Sequence, residues 1–372
     1  MSQIHFRRIL SMAGVITLLG IIILLLPTLI ALYHQIRGGQ LLAQALAFEA
    51  RQTRDALVCA DGPLTADQSR ALVHQAVDFL ERSIASSSKQ SYSYLLLGRA
   101  YCLLDESGSA VQAYQQFVIS RPENPSGHME LGFGLEASCA NNSGKNEKKD
   151  HICSDPAIEA QILEEWSKSS LVLGDFIGSA NDAFQRQDYS QAIKWYRRAS
   201  LFSEQLPFEH VFKWAIASVV VDHTLPLKVQ ESINVYPATN SYLIQAEELY
   251  WMRAEPAWGL SFGQQMGKVE PAYPGVGVFW WMGRAVAFID VAQPGVYKIL
   301  VSAQDSPPGP IHLQIEKDLL PVDQFTLSNA DMSWNVLETA TMLNEGIHLI
   351  GINFLEDNGD AIVDWIRLTS IE

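Results

Sequence analysis

The sequence predicts a multidomain protein that combines a transmembrane helix, an all-α repeat domain and an all-β sandwich. Three observations support this division. Residues 9–33 contain no charged side chain, apolar residues recur at helical spacing from residue 42 to about residue 232, and an alternation of period two begins after residue 241. A chain of 372 residues is also too long for one ordinary hydrophobic core.

The uncharged stretch ILSMAGVITLLGIIILLLPTLIALY, residues 9–33, is long enough to span a bilayer as a helix, which needs about 20 residues. It has no clear cleavage site, so an uncleaved signal anchor is favoured over a cleaved signal peptide. Arg7 and Arg8 precede the stretch and Arg37 follows it. This slight bias predicts a single-pass membrane protein, with residues 1–37 as cytoplasmic tip and membrane anchor and with an extracytoplasmic body.

Charge and cysteine content narrow the class of protein further. The net charge of −15 argues against nucleic acid as a partner. The chain contains four cysteines: Cys59, Cys102, Cys139 and Cys153. An even number permits two disulfides, and the last two cysteines bracket a polar loop that a bridge could staple. Free thiols are one alternative, and a zinc site with the nearby His128 and His151 is another, although the spacing matches no standard zinc pattern.

The helical region, residues 38–233, contains one distinctive segment, YLLLGRAYCLLDESGSAVQAYQQFVISRP at residues 94–122. The small residues Gly98 and Ala110 stand where two helices would cross, and large residues fill the gaps between helices. A second Leu-Gly pair, ending at Gly132, follows the first at a distance of 34 residues. The pattern resembles the tetratricopeptide repeat. The resemblance implies an α-helical scaffold whose groove docks a protein or peptide partner, without catalysis.

The last region, residues 242–372, follows a linker at residues 234–241 and alternates polar and apolar side chains in short runs. The clearest runs are IHLQIE, residues 311–316, and IHLIGINF, residues 347–354. Further runs lie near residues 279, 286, 300, 337 and 364. Together they predict about eight or nine strands, enough for a two-sheet sandwich.

The same region carries landmarks in a fixed order. They are Gln245-Ala246-Glu247, Pro294-Gly295-Val296-Tyr297, Trp334 with the hairpin at 343–348, and Asp364-Trp365-Ile366. In this order they resemble the carbohydrate-binding modules of families six and thirty-five, which have a galactose-binding-like jelly-roll fold. The resemblance covers residues 242–372 and implies a jelly-roll sandwich that binds an oligosaccharide or polysaccharide.

The stretch YLIQAEELYW that opens this region predicts a strand with carboxylates in its middle. Gln245 and Glu247 are two apart and share one face of a strand, and Asp364 alternates with Ile362 and Ile366. Unpaired carboxylates in such places are unfavourable, and calcium, which takes about six to eight oxygen ligands, would satisfy them. In the resembled family these positions bind a structural calcium, so the resemblance implies Gln245, Glu247 and Asp364 as its ligands. Hydrogen bonds to loop backbone without a metal are the alternative.

Six of the nine tryptophans lie in the same region. Sugar rings present apolar C–H faces that stack on aromatic rings, and their hydroxyls need polar partners. In the resembled families a cleft holds a Trp before the hairpin and an Asn before the last strand, positions taken here by Trp334 and Asn358. Trp280 or Trp281 would supply a facing ring, and Tyr273 lies in the loop before them. Ordinary packing is the alternative role of these aromatics.

No catalytic constellation is recognised in the sequence, which contains no HExxH, phosphate loop or CxxC. A non-enzymatic protein is therefore predicted. The leading hypothesis is a membrane-anchored ectodomain protein whose repeats dock a protein partner and whose sandwich binds glycan, with calcium as a structural ion. The alternative is an assembly scaffold of a cell-envelope or polysaccharide-export complex, in which the sandwich is a protein–protein module without sugar binding.

Overall fold

The structure is a computed structural model, and it describes most of the chain. The described residues are 2–49, 59, 62–87, 90–142, 152–153, 155–169, 172–203, 206–238, 243–255, 259–261, 277–279, 283–306, 310–328, 334–355 and 360–371. Within them, helices come first and strands afterwards, which confirms the predicted order of an α-helical and a β part. The chain divides into two compact units, Met1–Val172 and Leu173–Glu372.

Six helices make up the described part of the first unit. They are α1 (Ser2–Phe48), α2 (Asp67–Ser86), α3 (Ser91–Leu103), α4 (Ser107–Ser120), α5 (Pro125–Asn142) and α6 (Pro156–Ser167). Each helix packs against the next one along the chain. Gly98 of α3 lies against Tyr114 of α4, and a Cβ at this glycine would stand 2.5 Å from the ring. Small residues therefore stand where helices touch, while membership of the tetratricopeptide family stays a prediction.

The predicted transmembrane anchor is wrong. In the part of the chain that the structure describes, no helix is both long enough and apolar enough to cross a bilayer. The helix α1 does not stop near the predicted end of the span, and it continues to Phe48. Ala31 is buried, and its carbonyl accepts a hydrogen bond of 2.7 Å from Ser83 Oγ of α2. Leu41 and Leu42 belong to the same helical core. The single-pass topology predicted from the uncharged stretch depended on this anchor, so that prediction is wrong as well.

Two disulfides, Cys59–Cys102 and Cys139–Cys153, cross-link the first unit. The second closes the segment between α5 and α6, the polar loop that the sequence suggested for a bridge. Because all four sulfurs are bonded, the free-thiol and zinc alternatives do not apply. His128, which the zinc alternative invoked, contacts the Glu165 carboxylate and a backbone carbonyl instead.

Capping side chains fix where several helices begin. Asp155 precedes α6, and its carboxylate accepts the N–H of Ala157 at 2.9 Å, with a proline at the first helical position. In the second unit, Asp188 accepts the N–H of Gln191 at 3.2 Å and caps the helix that begins at Tyr189. Such caps satisfy backbone N–H groups that a helix leaves without internal partners.

The second unit begins with helices rather than with the sandwich. They are α7 (Val172–Gln185), α8 (Tyr189–Phe202), α9 (Phe208–Asp222) and α10 (Leu227–Gln230). The predicted boundary at residues 234–241 therefore does not coincide with the division between the units. The reason is that α9 packs on a sheet, since the ring of Phe212 lies 6.1 Å from that of Phe288 and 5.2 Å from that of Tyr250. Helical periodicity identifies a helix but does not show what the helix packs against.

The β part of the second unit contains twelve strands among its described residues. They are β1 (Val235–Pro237), β2 (Leu243–Gln245), β3 (Tyr250–Glu255), β4 (Gly259–Ser261), β5 (Gly277–Phe279), β6 (Gly283–Val291), β7 (Gly295–Ser306), β8 (Ile311–Lys317), β9 (Leu320–Leu327), β10 (Asn335–Leu343), β11 (Gly346–Phe354) and β12 (Asp360–Ile371). The larger sheet has the order β4-β3-β6-β11-β8-β9, with β1 parallel to β6. The smaller sheet has the order β10-β7-β12-β2, with β5 also paired to β12.

The hydrophobic core lies between the two sheets. Alternate residues of β6, such as Ala287 and Ile289, meet Ile299 and Val301 of β7, as period-two alternation requires. The opposite face of the larger sheet is covered by α9, so Phe288 is fully buried on that side. The second unit is therefore a two-sheet sandwich with a helix layer on its larger sheet.

Candidate functional site

The stretch predicted as one opening strand is folded differently. The strand β2 ends at Gln245, and a 3-10 helix, η1 (Ala246–Glu248), separates it from β3. Gln245 and Glu248 form a capping box around η1, in which Glu248 Oε2 accepts the Gln245 N–H at 2.9 Å. The rule that residues two apart share a strand face therefore does not apply to Gln245 and Glu247. The sequence gives little indication of this cap, because Glu248 has the usual spacing of three from Gln245 but glutamine is not a usual N-cap residue.

Asp364 lies at an irregularity of β12. The pairing of β12 with β7 shifts between Val363 and Trp365, which is the signature of a β-bulge. Val363 and Ile366 are both buried in the core although they are three residues apart. The simple alternation used in the sequence prediction is thus broken at Asp364, a half-buried residue.

The fold nevertheless brings two of the three predicted calcium ligands to neighbouring positions. β2 pairs antiparallel with β12, and Gln245 is opposite Trp365, the residue that follows Asp364. The side chain of Glu247 lies outside the described residues. The predicted ligand set is therefore compatible with the topology at two positions, and Gln245 already has a structural role in the capping box.

One end of the smaller sheet collects the ends of four strands. Phe279, the last residue of β5, pairs with Ala361, and the first residue of β12 pairs with the last residue of β7. At the same end, β10 begins with Asn335 opposite Ala303. Two strands thus end and two begin together, and we call this region the β10 end of the smaller sheet.

The predicted sugar-binding residues relate to this end in different ways. Trp334 directly precedes β10 and is 45% exposed. Trp280, Trp281, Asn358 and Tyr273 lie outside the described residues. Of the predicted aromatic site, the structure therefore describes one member, an exposed tryptophan at the β10 end.

A further set of polar groups converges elsewhere in the second unit and was not predicted. His223, Asp318 and His348 place one nitrogen or oxygen atom each within 4.8 Å of one another. They come from distant parts of the chain, so no local spacing indicates their convergence. Only the fold, which brings the end of α9 to the larger sheet, shows it.

Comparisons with known proteins concern mainly the β part. No protein-family profile and no curated protein matches the sequence. Among solved structures, a family 36 carbohydrate-binding module in complex with calcium and xylotriose is similar at 17% identity and a TM-score of 0.28, over 34% of this chain and 98% of that chain. A family 35 module from an environmental isolate is similar at 14% identity and a TM-score of 0.27, over 35% of this chain and 93% of that chain.

A third similar structure is a family 36 domain of a multidomain xylanase from the hindgut metagenome of Trinervitermes trinervoides. Its identity is 12% and its TM-score 0.29, over 35% of this chain and 98% of that chain. The β part of the chain is thus similar to modules of families 35 and 36.

Proposed function

We propose that the second unit binds a carbohydrate at the β10 end of the smaller sheet. The observation that carries the proposal is the exposure of Trp334, whose side chain is 45% accessible directly before β10. A tryptophan left in water offers a broad apolar face, and the C–H face of a sugar ring matches such a surface.

The arrangement of the strand ends supports the same location. In sequence, Trp280 directly follows the last residue of β5, and Asn358 stands two residues before the first residue of β12. Both strand ends belong to the β10 end, where β10 itself begins after Trp334. In sequence, the predicted sugar-binding residues Trp334, Trp280 and Asn358 therefore adjoin strand ends of one region of the described sheet. An aromatic ring and an amide are the groups that sugar recognition needs.

The test is calorimetric titration of the full chain with a panel of soluble oligosaccharides. At least one sugar should bind the parent protein, and Trp334→Ala should weaken its binding at least about tenfold, which corresponds to about 1.4 kcal/mol. A matched control is Tyr92→Ala, because Tyr92 is also 45% exposed but lies in the first unit. Its affinity for the sugar should equal that of the parent.

Two results would contradict the proposal. If the folded parent binds no sugar in the panel, the sandwich is better explained as a protein–protein module of an assembly scaffold. If Trp334→Ala and Tyr92→Ala weaken binding equally, the sugar does not bind at the β10 end.

Calcium binding is a second part of the proposal, and it depends chiefly on Glu247 and Asp364. The Gln245 side chain takes part in the capping box, so it does not by itself call for a metal. Bound calcium would stabilise the folded form by mass action. Thermal unfolding of the full chain should therefore shift upward with calcium, and Asp364→Asn should remove the shift. Equal unfolding temperatures in calcium and in chelator would contradict calcium binding.

Docking of a protein or peptide partner on the groove of the predicted repeats, residues 38–233, stays a prediction, as does the absence of enzymatic activity. Both follow from sequence patterns. A sugar-binding result would not decide either of them, because each concerns other residues.

A further inference from the structure

Three chain segments meet beside the larger sheet of the second unit. His223 follows the last residue of α9, Asp318 lies in the turn between β8 and β9, and His348 lies in β11. One donor atom from each lies within 4.8 Å of the other two. Among the described residues, these are the three metal-ligating side chains that come this close together.

Both ring nitrogens of His348 face hydrogen-bond acceptors. The side chain is fully buried, with Nε2 at 3.0 Å from the Asn344 carbonyl oxygen and Nδ1 at 2.9 Å from Asp318 Oδ2. Both partners are acceptors, whereas a neutral imidazole carries one N–H. If Nε2–H donates to the carbonyl, the Nδ1 lone pair faces the carboxylate. A cation, either a proton or a metal ion, is needed between them.

Asp318 is held in place through its other oxygen. Its Oδ1 accepts the backbone N–H of Leu349 at 2.9 Å, and its own N–H donates to the Leu349 carbonyl at 2.8 Å. Its backbone has a φ of 52°, in the left-handed region. Among the described residues, the groups that approach Oδ2 as ion-pair partners are imidazoles, with no Lys or Arg.

His223 supplies the third group, and its position is fixed by backbone contacts. It ends α9 in the left-handed conformation, and its carbonyl accepts the Ile347 N–H at 2.8 Å. Gly346 makes this approach possible, because a Cβ there would stand 2.9 Å from the His223 carbonyl oxygen. The His223 and His348 ring centroids are 4.4 Å apart.

The Nδ1 atom of His223 is buried and has no hydrogen-bond partner. It lies 3.9 Å from Asp318 Oδ2. A proton between His348 and Asp318 would balance that pair but would leave His223 Nδ1 without a partner. A metal ion between the three groups would satisfy all of them.

We propose that His223, Asp318 and His348 bind one divalent transition-metal ion of the zinc type. Two imidazole nitrogens and one carboxylate oxygen form a ligand set that such ions prefer. Ligand bonds of about 2.0–2.2 Å place donor atoms roughly 3–4 Å apart, and the observed separations from Asp318 Oδ2 are 2.9 and 3.9 Å. The contact from His348 Nε2 to the Asn344 carbonyl is the outer hydrogen bond that orients a metal-binding histidine.

This site differs from the calcium site proposed at Glu247 and Asp364. Calcium takes oxygen ligands, whereas two of the three donors here are imidazole nitrogens. The side chain of His223 is 33% exposed, although its Nδ1 atom is buried.

The test is calorimetric titration of the full chain with Zn²⁺ after removal of metals by a chelator. The parent should bind one equivalent. His223→Asn and Asp318→Asn should each weaken binding at least about 100-fold, since changes in the outer shell alone weaken metal affinity about 10–100-fold. Asparagine is chosen because both positions have positive φ, which asparagine adopts readily. Thermal unfolding of the metal-free variants checks that they fold.

His312→Asn is the matched control, because His312 lies in the same unit and its ring bonds to Thr326 rather than to the cluster. It should bind Zn²⁺ as the parent does. Absence of a one-equivalent site in the parent would overturn the proposal and leave a proton as the cation between His348 and Asp318. Equal affinity of the parent and the two asparagine variants would also overturn it, since Zn²⁺ would then bind elsewhere. Undiminished Zn²⁺ binding in excess calcium would support it.

Discussion

The two units each bury an imidazole against a carboxylate, and the surroundings of these pairs differ. In the first unit His128 lies 2.6 Å from Glu165 Oε2 through Nδ1 and 2.8 Å from the Pro122 carbonyl through Nε2. In the second unit His348 repeats this pattern with Asp318 and a backbone carbonyl. The pair alone therefore does not indicate a function.

The two pairs differ in the further group that lies beside each carboxylate. Glu165 Oε1 accepts a hydrogen bond of 2.8 Å from Lys168 Nζ, so the carboxylate of the first pair has an ammonium partner on its other oxygen. Asp318 faces a second imidazole instead, and this imidazole has a buried nitrogen without a partner. Glu165 therefore has a cationic partner within the chain. Asp318 faces two imidazoles instead, and a carboxylate with two imidazoles is a ligand set that binds a metal ion.

The largest expected effect comes from reducing the two disulfides, which cross-link the first unit alone. All four cysteines lie in the first unit, with sequence separations of 43 and 14 between the bonded pairs. The loop-closure relation gives about 4 and about 3 kcal/mol for these bridges. Reduction should therefore lower hydrogen-exchange protection in α2–α5 and leave β6–β12 unchanged. An equal loss of protection in both units would contradict the division of the chain.

A smaller effect is expected where helices of the first unit touch. Gly98→Ala would place a Cβ 2.5 Å from the fully buried Tyr114 ring, so we expect a loss of about 2–3 kcal/mol by denaturant unfolding. Gly178→Ala is the control, because a Cβ added at this exposed glycine of α7 would meet nothing within 4 Å. It should gain up to about 1 kcal/mol. A neutral Gly98→Ala would mean that α3 and α4 are less tightly packed than described.

The sequence anticipated those parts of the fold that depend on local patterns. The run at residues 311–316 corresponds to β8 and the run at 347–354 to β11, because period-two alternation follows directly from one buried face. The stretch at Gln245 was misread because a capping box overrode strand propensity. The uncharged stretch was misread because its apolar character was taken as sufficient evidence of a membrane-spanning helix.

The proposed sugar site and the proposed metal site differ in how far the sequence could predict them. Trp334 could be named because it precedes a recognisable hairpin pattern. His223 and His348 could not, because their meeting depends on α9 packing against the larger sheet, which a helical period does not specify.

The third expected effect is the pH dependence of the stability that the His128–Glu165 pair contributes. Burial favours a raised pKa for the Glu165 carboxyl, but hydrogen bonds from His128 and Lys168 outweigh it and hold the pKa below its usual range. A carboxyl with a lowered folded pKa contributes stability above its unfolded pKa of about 4.3, and this stability is lost as pH falls through the folded value. Glu165→Gln should therefore cost about 2 kcal/mol at pH 7.

The difference between parent and Glu165→Gln should shrink as the pH falls below about 4.3. Urea unfolding of both proteins across this pH range measures it. A constant difference would mean that the carboxylate charge does not hold the pair together.

The smallest effect on stability is expected at the proposed sugar site. Trp334 is 45% exposed, so Trp334→Ala should change the free energy of unfolding by less than about 1 kcal/mol. Urea unfolding of parent and variant checks this. A loss above about 3 kcal/mol, typical of a buried tryptophan, would mean that Trp334 packs in the core and is unsuited to stack on a sugar.

The most direct test of the contrast between the two pairs is an imidazole ¹⁵N NMR spectrum of the full chain before and after one equivalent of Zn²⁺. We predict that the His223 and His348 resonances move together, assigned by His223→Asn and His348→Asn, while His128 does not move. Unchanged His223 and His348 resonances, or an equal change at His128, would contradict the contrast.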